Sequence, residues 1–195
     1  MSRIAIIGTA GRKEDGDKLG SLAFSKMVDI TKSLLSLKGH TLMSGGAAYA
    51  DAIAVVLYLT GYCADLELYL PCEFDIENRC YVQESEYNSY DSGRTANYYH
   101  SLFTKKRGID SLEEIARAIE KGAKVTVGHG FKDRNTMVAQ ADGIIALTFG
   151  NQRVVKDGGT EDCCDKYLAR RGKHLIHIDL NDWSIHRDGT TSRFA

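Results

Sequence analysis

Apolar residues run along this chain in two alternating rhythms. Short, nearly continuous runs at residues 3–7, 40–43, 66–70, 124–127, 143–148 and 174–178 predict strands, several of them rich enough in Ile, Val and Leu to be buried on both faces. Between them, apolar positions three and four residues apart predict helices. Leu19, Leu22, Ala23, Met27, Ile30, Leu34 and Leu37 define one from residue 18 that stops at Gly39, and residues 47–60 form an Ala-rich second one ending at Gly61. Residues 111–121, 135–140 and 160–171 supply three more, the first opened by Ser111-Leu112-Glu113-Glu114 as a capping box. Strands alternating with helices predict an α/β domain: a doubly wound, mostly parallel sheet with helices on both faces. Residues 73–108 break the rhythm, being rich in Tyr, Asn, Ser and charge, and predict an inserted loop region over the carboxyl edge of the sheet. The domain is expected over residues 1–180, with a loosely ordered tail at 181–195.

Composition narrows the function classes. The chain has 195 residues, 43% of them hydrophobic, which suits one domain with one sizeable core. Its 25 Lys and Arg against 26 Asp and Glu leave a formal charge of -1, so nucleic acid is not the expected partner. No apolar run approaches the roughly 20 residues of a membrane span, and Met1-Ser2-Arg3 leads into a strand without a signal-peptide pattern, so a cytoplasmic protein without a membrane partner is expected. The 5 cysteines contain no C-x-x-C pair, and His174 and His177 would point to opposite faces of a strand. No metal and no cofactor are expected.

Glycine-bearing turns follow predicted strands at Gly8-Thr9-Ala10-Gly11-Arg12, Ser44-Gly45-Gly46-Ala47 and Asp157-Gly158-Gly159-Thr160. In a parallel sheet all of them emerge on one edge, where glycine permits close approach and each following helix offers unpaired N–H groups to an anion. A phosphorylated ligand is therefore expected there. No Gly-Lys-Ser/Thr follows these turns, and Gly8-x-x-Gly11 lacks the dinucleotide fingerprint.

These turns, the longer stretch Met43-Ser44-Gly45-Gly46-Ala47-Ala48-Tyr49-Ala50-Asp51 and Arg134-Asn135-Thr136-Met137-Val138-Ala139 resemble, in order, the landmarks of the SLOG superfamily of Rossmann-like proteins. That superfamily includes YpsA-like proteins, DNA-processing protein A and the "lonely guy" phosphoribohydrolases. The resemblance spans residues 4–179 but leaves the insertion unmatched. It implies a nucleotide or nucleotide derivative on the glycine turns and Arg134 as a charged ligand contact. It also implies a ribose hydroxyl, or merely a cap, at Asp51.

In the phosphoribohydrolases a P-G-G-x-G-T-x-x-E pattern carries a glutamate that, with an upstream arginine, performs N-glycosidic hydrolysis of a nucleoside 5'-monophosphate. Aligned on Gly159-Thr160, this chain has Cys163 in place of that glutamate, with Glu161, Asp162 and Asp165 nearby. Asp162 is preferred to Glu161 as a sugar-side carboxylate, since Gly159, Asp162 and Cys163 share one helix face. Cys163-Cys164 at a helix start is an alternative nucleophile.

Arg12 and Lys13 are further phosphate candidates. Within the insertion, Arg94, Asn97, Tyr98 and His100 could stack on and hydrogen-bond a base, or form a tyrosine-rich protein contact. Two functions stay open: an N-glycosidase acting on a nucleotide, or a module that senses or sequesters a nucleotide signal without chemistry. The expected partner in both is a nucleotide-type small molecule, with a homo-oligomer allowed.

Overall fold

The computed structural model describes residues 2–35, 39–83, 91–156 and 158–188. In chain order the elements are β1 (Ser2–Gly8), α1 (Glu14–Lys18), α2 (Ser21–Leu34), β2 (His40–Ser44), α3 (Ala52–Leu59), β3 (Asp65–Leu70), β4 (Phe74–Asp75), β5 (Cys80–Tyr81), α4 (Ser92–Arg107), α5 (Ser111–Glu120), β6 (Lys124–Val127), α6 (Phe131–Val138), β7 (Gly143–Thr148), α7 (Gly159–Ala169), β8 (Leu175–Asp179) and β9 (Ser184–Asp188). Seven strands form one sheet in the order β6-β3-β2-β1-β7-β8-β9, and β4 and β5 make a separate hairpin. All pairings in the large sheet are parallel except β8 with β9. This is the α/β, Rossmann-like arrangement that the alternation of strands and helices predicts.

The central strands are apolar throughout because both faces are covered. Along β1, Ile4 and Ile6 enter one core with α2, α3, α4 and α5, while Ala5 and Ile7 enter another with α6 and α7. In β7, Ile145 and Leu147 face the first core, and Ile144 and Ala146 the second. The chain winds outward from β1 in both directions, since β2 and β7 flank it. The carboxyl ends of β1 and β7 therefore lie at a topological switch point, where such sheets open a crevice.

Several boundaries differ from the sequence reading. The helix expected from residue 18 is α2, which starts later, at Ser21, and ends at Leu34, because Leu19 and Leu35 are extended; α1 precedes it, and Leu37 lies outside the described residues. The next begins at Ala52 rather than residue 47, because Tyr49 adopts a left-handed φ of 61° and packs its ring on Phe103 at 4.3 Å. Asp110, not Ser111, caps α5, its carboxylate accepting from the Leu112 and Glu113 amides. The helix expected at 135–140 is α6, which starts earlier, at Phe131.

The expected loop at 73–108 is a hairpin and a 16-residue helix, α4, with Asp91 as its N-cap and Gly108 closing it in the left-handed conformation. Residues 84–90 of that region lie outside the described residues. The tail is also ordered in part, as β9, and residues 189–195 lie outside the described residues. Among the described residues no helix is long and apolar enough to cross a membrane.

Gly8 sits where β1, β7 and α3 meet. A Cβ there would strike the carbonyl oxygen of Leu147 and come within 2.7 Å of the Ala50 side chain. Backbone cannot yield as a flexible side chain would, so Gly8→Ala should lower the unfolding free energy by about 2 kcal/mol or more. Urea denaturation measures this, and an unchanged midpoint would show that the contact relaxes freely.

Candidate functional site

A cleft of about 740 Å³ opens at the carboxyl ends of β1, β2 and β7, within the size range of small-molecule sites. Gly8, Thr9, Arg12, Gly45, Asp51, Arg134, Gly158, Gly159, Thr160 and Asp162 all line it. The residues singled out from sequence on the three turns and on α6 thus meet on one edge.

The turns differ in what their N–H groups can still do. Asp51, only 4% exposed, accepts from the Gly45 amide at 3.0 Å and the Ala47 amide at 3.5 Å through Oδ2, and the Gly8 amide also bonds to it. Burial pushes its carboxyl above the usual carboxylate range, against the pull of Arg134 and these amides. The Gly46 amide donates to Ser44 Oγ, the Gly11 amide to Thr9 Oγ1, and the Thr9 amide to the Leu147 carbonyl. Ser44 is fully buried and donates to the Asp51 carbonyl. The amides of Gly8, Gly45 and Gly46 therefore serve protein acceptors, which corrects the expectation that they cradle a ligand phosphate.

Arg134 occupies the space that a side chain at Gly45 would fill, since a Cβ there would lie 2.7 Å from Arg134 Cδ. Its Nη1 donates to the Gly45 carbonyl at 2.8 Å and stands 3.8 Å from Asp51 Oδ2, and its Nε donates to Asn135 Oδ1 at 2.9 Å. Arg134 is therefore built into the edge rather than free on the surface.

Helix α7 contrasts with both earlier turns. Its N-cap is Gly158, which has no side chain to cap it, so among the described residues the amides at its start have no side-chain acceptor, and Gly158, Gly159 and Thr160 face the cleft. Asp157, the first residue of that turn, lies outside the described residues. Asn135 fixes the position of α7 by donating from Nδ2 to the Gly159 carbonyl at 3.1 Å and to Asp162 Oδ2 at 2.9 Å. Lys166, one turn on, donates to the same oxygen at 2.7 Å. Burial pushes the Asp162 carboxyl up, but the bonds from Lys166 and Asn135 outweigh it and hold the group below the usual carboxylate range. Among the described residues only Oδ2 is engaged, which leaves Oδ1 for the cleft.

Cys163 lines the cleft with Asp162, whereas Glu161 does not. Burial pushes the Cys163 thiol up to about 12, so the sequence-based idea of a thiolate activated by the helix start does not hold. Among the described residues no group of three or more His, Cys, Asp or Glu side chains could hold a metal ion.

The four candidates from the insertion do not line the cleft. Asn97 pairs through its amide with both backbone groups of Tyr81, as a strand neighbour would. Tyr98 is 57% exposed, and Arg94, whose amide donates to the Asp91 cap, is exposed on α4.

His100 is fully buried, with Nε2 3.0 Å from the Gly46 carbonyl and Nδ1 2.9 Å from Ser111 Oγ. A carbonyl can only accept, so Nε2 carries the proton and Nδ1 accepts from Ser111. Tyr81 Oη donates to the same Gly46 carbonyl at 2.5 Å. His100 thus props the second turn from behind. The contacts not singled out from sequence are Tyr99, within the same stretch of α4 as those four candidates, and Phe131, three residues before Arg134 at helical spacing.

No family model matches the chain, and no solved structure matches it. It is 35% identical over 188 residues to "Uncharacterized protein R261" of Acanthamoeba polyphaga mimivirus, a match that spans 92% of this chain and 95% of the relative. The chain belongs to the same family as that mimivirus protein.

Burial lowers His100 from 6.5 to about 4, so the folded protein holds it neutral where the unfolded chain would be protonated. Its contribution is fully present above about pH 6.5 and is lost as pH falls toward 4, a loss of roughly 3 kcal/mol. Burial lowers His177 as well, in the same direction. His100→Gln should therefore flatten, without abolishing, the fall in stability between these pH values. Denaturation curves across that range decide it, and an identical slope in the variant would assign the effect elsewhere.

Proposed function

We propose that this chain binds a nucleotide or nucleotide derivative in the cleft, with a phosphate on the amides that open α7 and the sugar beside Asp162. The observation that carries this reading is the start of α7, uncapped by any described side chain, facing a cleft that also presents arginine and lysine side chains. The resemblance of the glycine turns and of Arg134-Asn135 to SLOG landmarks supports the same assignment, and on that ground we place the chain in that superfamily. Calorimetry with a panel of nucleoside phosphates tests it, and absence of binding across the panel would reject it.

Hydrolysis of the N-glycosidic bond is a second reading, favoured by one feature. Asp162 is held as an anion with an oxygen toward the cleft, as a carboxylate that stabilises positive charge at an anomeric carbon must be. His100 is too deeply buried to protonate a leaving base. The cleft carboxyl that burial favours in its protonated form is Asp51. If the protein is a glycosidase, Asp162→Asn should cut base release about 100-fold or more while Glu161→Gln retains it. The reverse pattern would exclude Asp162, and no base release from any nucleotide would leave the sensing or sequestering module.

Arg134→Ala should weaken nucleotide binding by about 1.5 to 3 kcal/mol, as does loss of a charge-assisted hydrogen bond from Nη2, the one guanidinium nitrogen that serves no oxygen among the described residues. It should also lower the melting temperature, because the Gly45 carbonyl and Asn135 lose a donor. Parent-like affinity in a folded variant would reject the ligand role.

A further inference from the structure

The ionisable side chains around the cleft do not cancel evenly. Every carboxylate that lines it has a cationic partner. Lys156 Nζ meets Asp15 at 2.7 Å and Glu14 at 3.3 Å, Arg134 stands against Asp51, and Lys166 holds Asp162. Arg12, Lys13 and Lys132 line the same cleft and have no ion-pair partner among the described residues. Lys156 alone serves both Glu14 and Asp15, so the pairs do not cancel completely, but the cations outnumber the carboxylates and the unpaired ones are exposed to solvent.

Arg12 differs from the two lysines in being held in place. Its guanidinium carbon lies 5.2 Å from the centre of the Tyr99 ring and 5.7 Å from that of Phe131. Rings steady a guanidinium through its face and leave its N–H edges open, and those edges match two oxygens of a phosphate. No protein oxygen takes those edges among the described residues. Arg134, 5.4 Å from the same Phe131 ring, is already committed to Gly45 and Asn135. Arg12 is thus the oriented, unengaged bidentate donor of the cleft.

We propose that the ligand carries two linked phosphates, as in a nucleoside diphosphate or a larger molecule containing that unit, and that Arg12 grips the second one. This rests on the nucleotide reading above, in which the start of α7 takes the first phosphate. A single phosphate there leaves Arg12, Lys13 and Lys132 without a paired counter-charge among the described residues. A second phosphate supplies it, with Lys13 and Lys132 contributing as mobile point charges. Tyr99 comes from α4, within the region that the SLOG landmarks do not cover, so the ring that orients Arg12 is a feature of this chain's insertion.

The test is calorimetry on the full chain and on Arg12→Ala, using nucleosides and their mono- and diphosphates in each base series, with inorganic phosphate and pyrophosphate alongside. Diphosphates should bind the parent about tenfold or more tightly than monophosphates, and Arg12→Ala should remove most of that advantage while leaving monophosphate affinity and melting temperature near parental values. Equal affinity for mono- and diphosphates in the parent, or an advantage that survives in Arg12→Ala, would overturn the proposal and leave nucleotide binding standing. Weakening of nucleoside, monophosphate and diphosphate alike in the variant would overturn it too, by placing Arg12 on the base. Pyrophosphate binding that depends on Arg12, with no nucleotide bound, would uphold the two-phosphate corner and reject the nucleotide. Absence of binding by every compound would reject both.

Discussion

The carboxyl edge of this sheet is organised around one buried carboxyl group. Asp51 stands in the first turn leading into α3 and gathers amides from the ends of two neighbouring strands, with Arg134 drawn in from a third element. A buried carboxyl group is tolerated only where donors surround it, and here they are the amides that strand ends leave unpaired. One side chain therefore satisfies groups from β1 and β2, and it fixes where α6 begins its approach to the cleft. Removing it would strand the Gly45 and Ala47 amides and the Arg134 guanidinium together.

The insertion braces this arrangement from the far side. Tyr81 and His100 converge on the Gly46 carbonyl, and Asn97 ties the hairpin to α4 by pairing with the Tyr81 backbone. The Gly45-Gly46 turn is thus held by a carboxyl group at its amides and by two side-chain donors at a carbonyl. Cleft geometry on this side is set by packing that precedes any ligand, which is what a pre-organised site requires. The same helix then presents Tyr99 toward Arg12, so support and recognition come from adjacent residues of one element.

The parallel sheet was legible in the sequence because strands buried on both faces are continuously apolar; residues 143–148, every one buried, coincide with β7. Helix α4 was not legible, because its buried positions are Ser92, Gly93, Ala96, His100 and Phe103, a stripe with one large apolar residue. Its periodicity is helical, but polarity hides it from any count of hydrophobic residues. The glycine turns were found at the correct edge for a reason only partly their own. Gly45 is small because Arg134 and Asp51 fill the space beside it, and Gly8 because Leu147 and Ala50 do. Sequence cannot distinguish a glycine that admits a ligand from one that admits a neighbouring side chain, since both lack a Cβ for the same steric reason.

That distinction gives the cleft its polarity. Where Asp51 already accepts from the strand-end amides, the edge is closed, and an incoming anion would have to displace a carboxyl group fixed by backbone bonds on several sides. Where α7 begins, no acidic side chain among the described residues caps the amides, and Asp162 is turned toward Lys166 and Asn135 instead. Helix-start electrostatics act over about one turn, so an anion entering the cleft is favoured at α7 and disfavoured near Asp51. The open corner at Arg12 shares the Phe131 ring with the committed Arg134, within the same cleft wall. An anion held at those open positions would leave undisturbed the carboxyl group that holds the edge together.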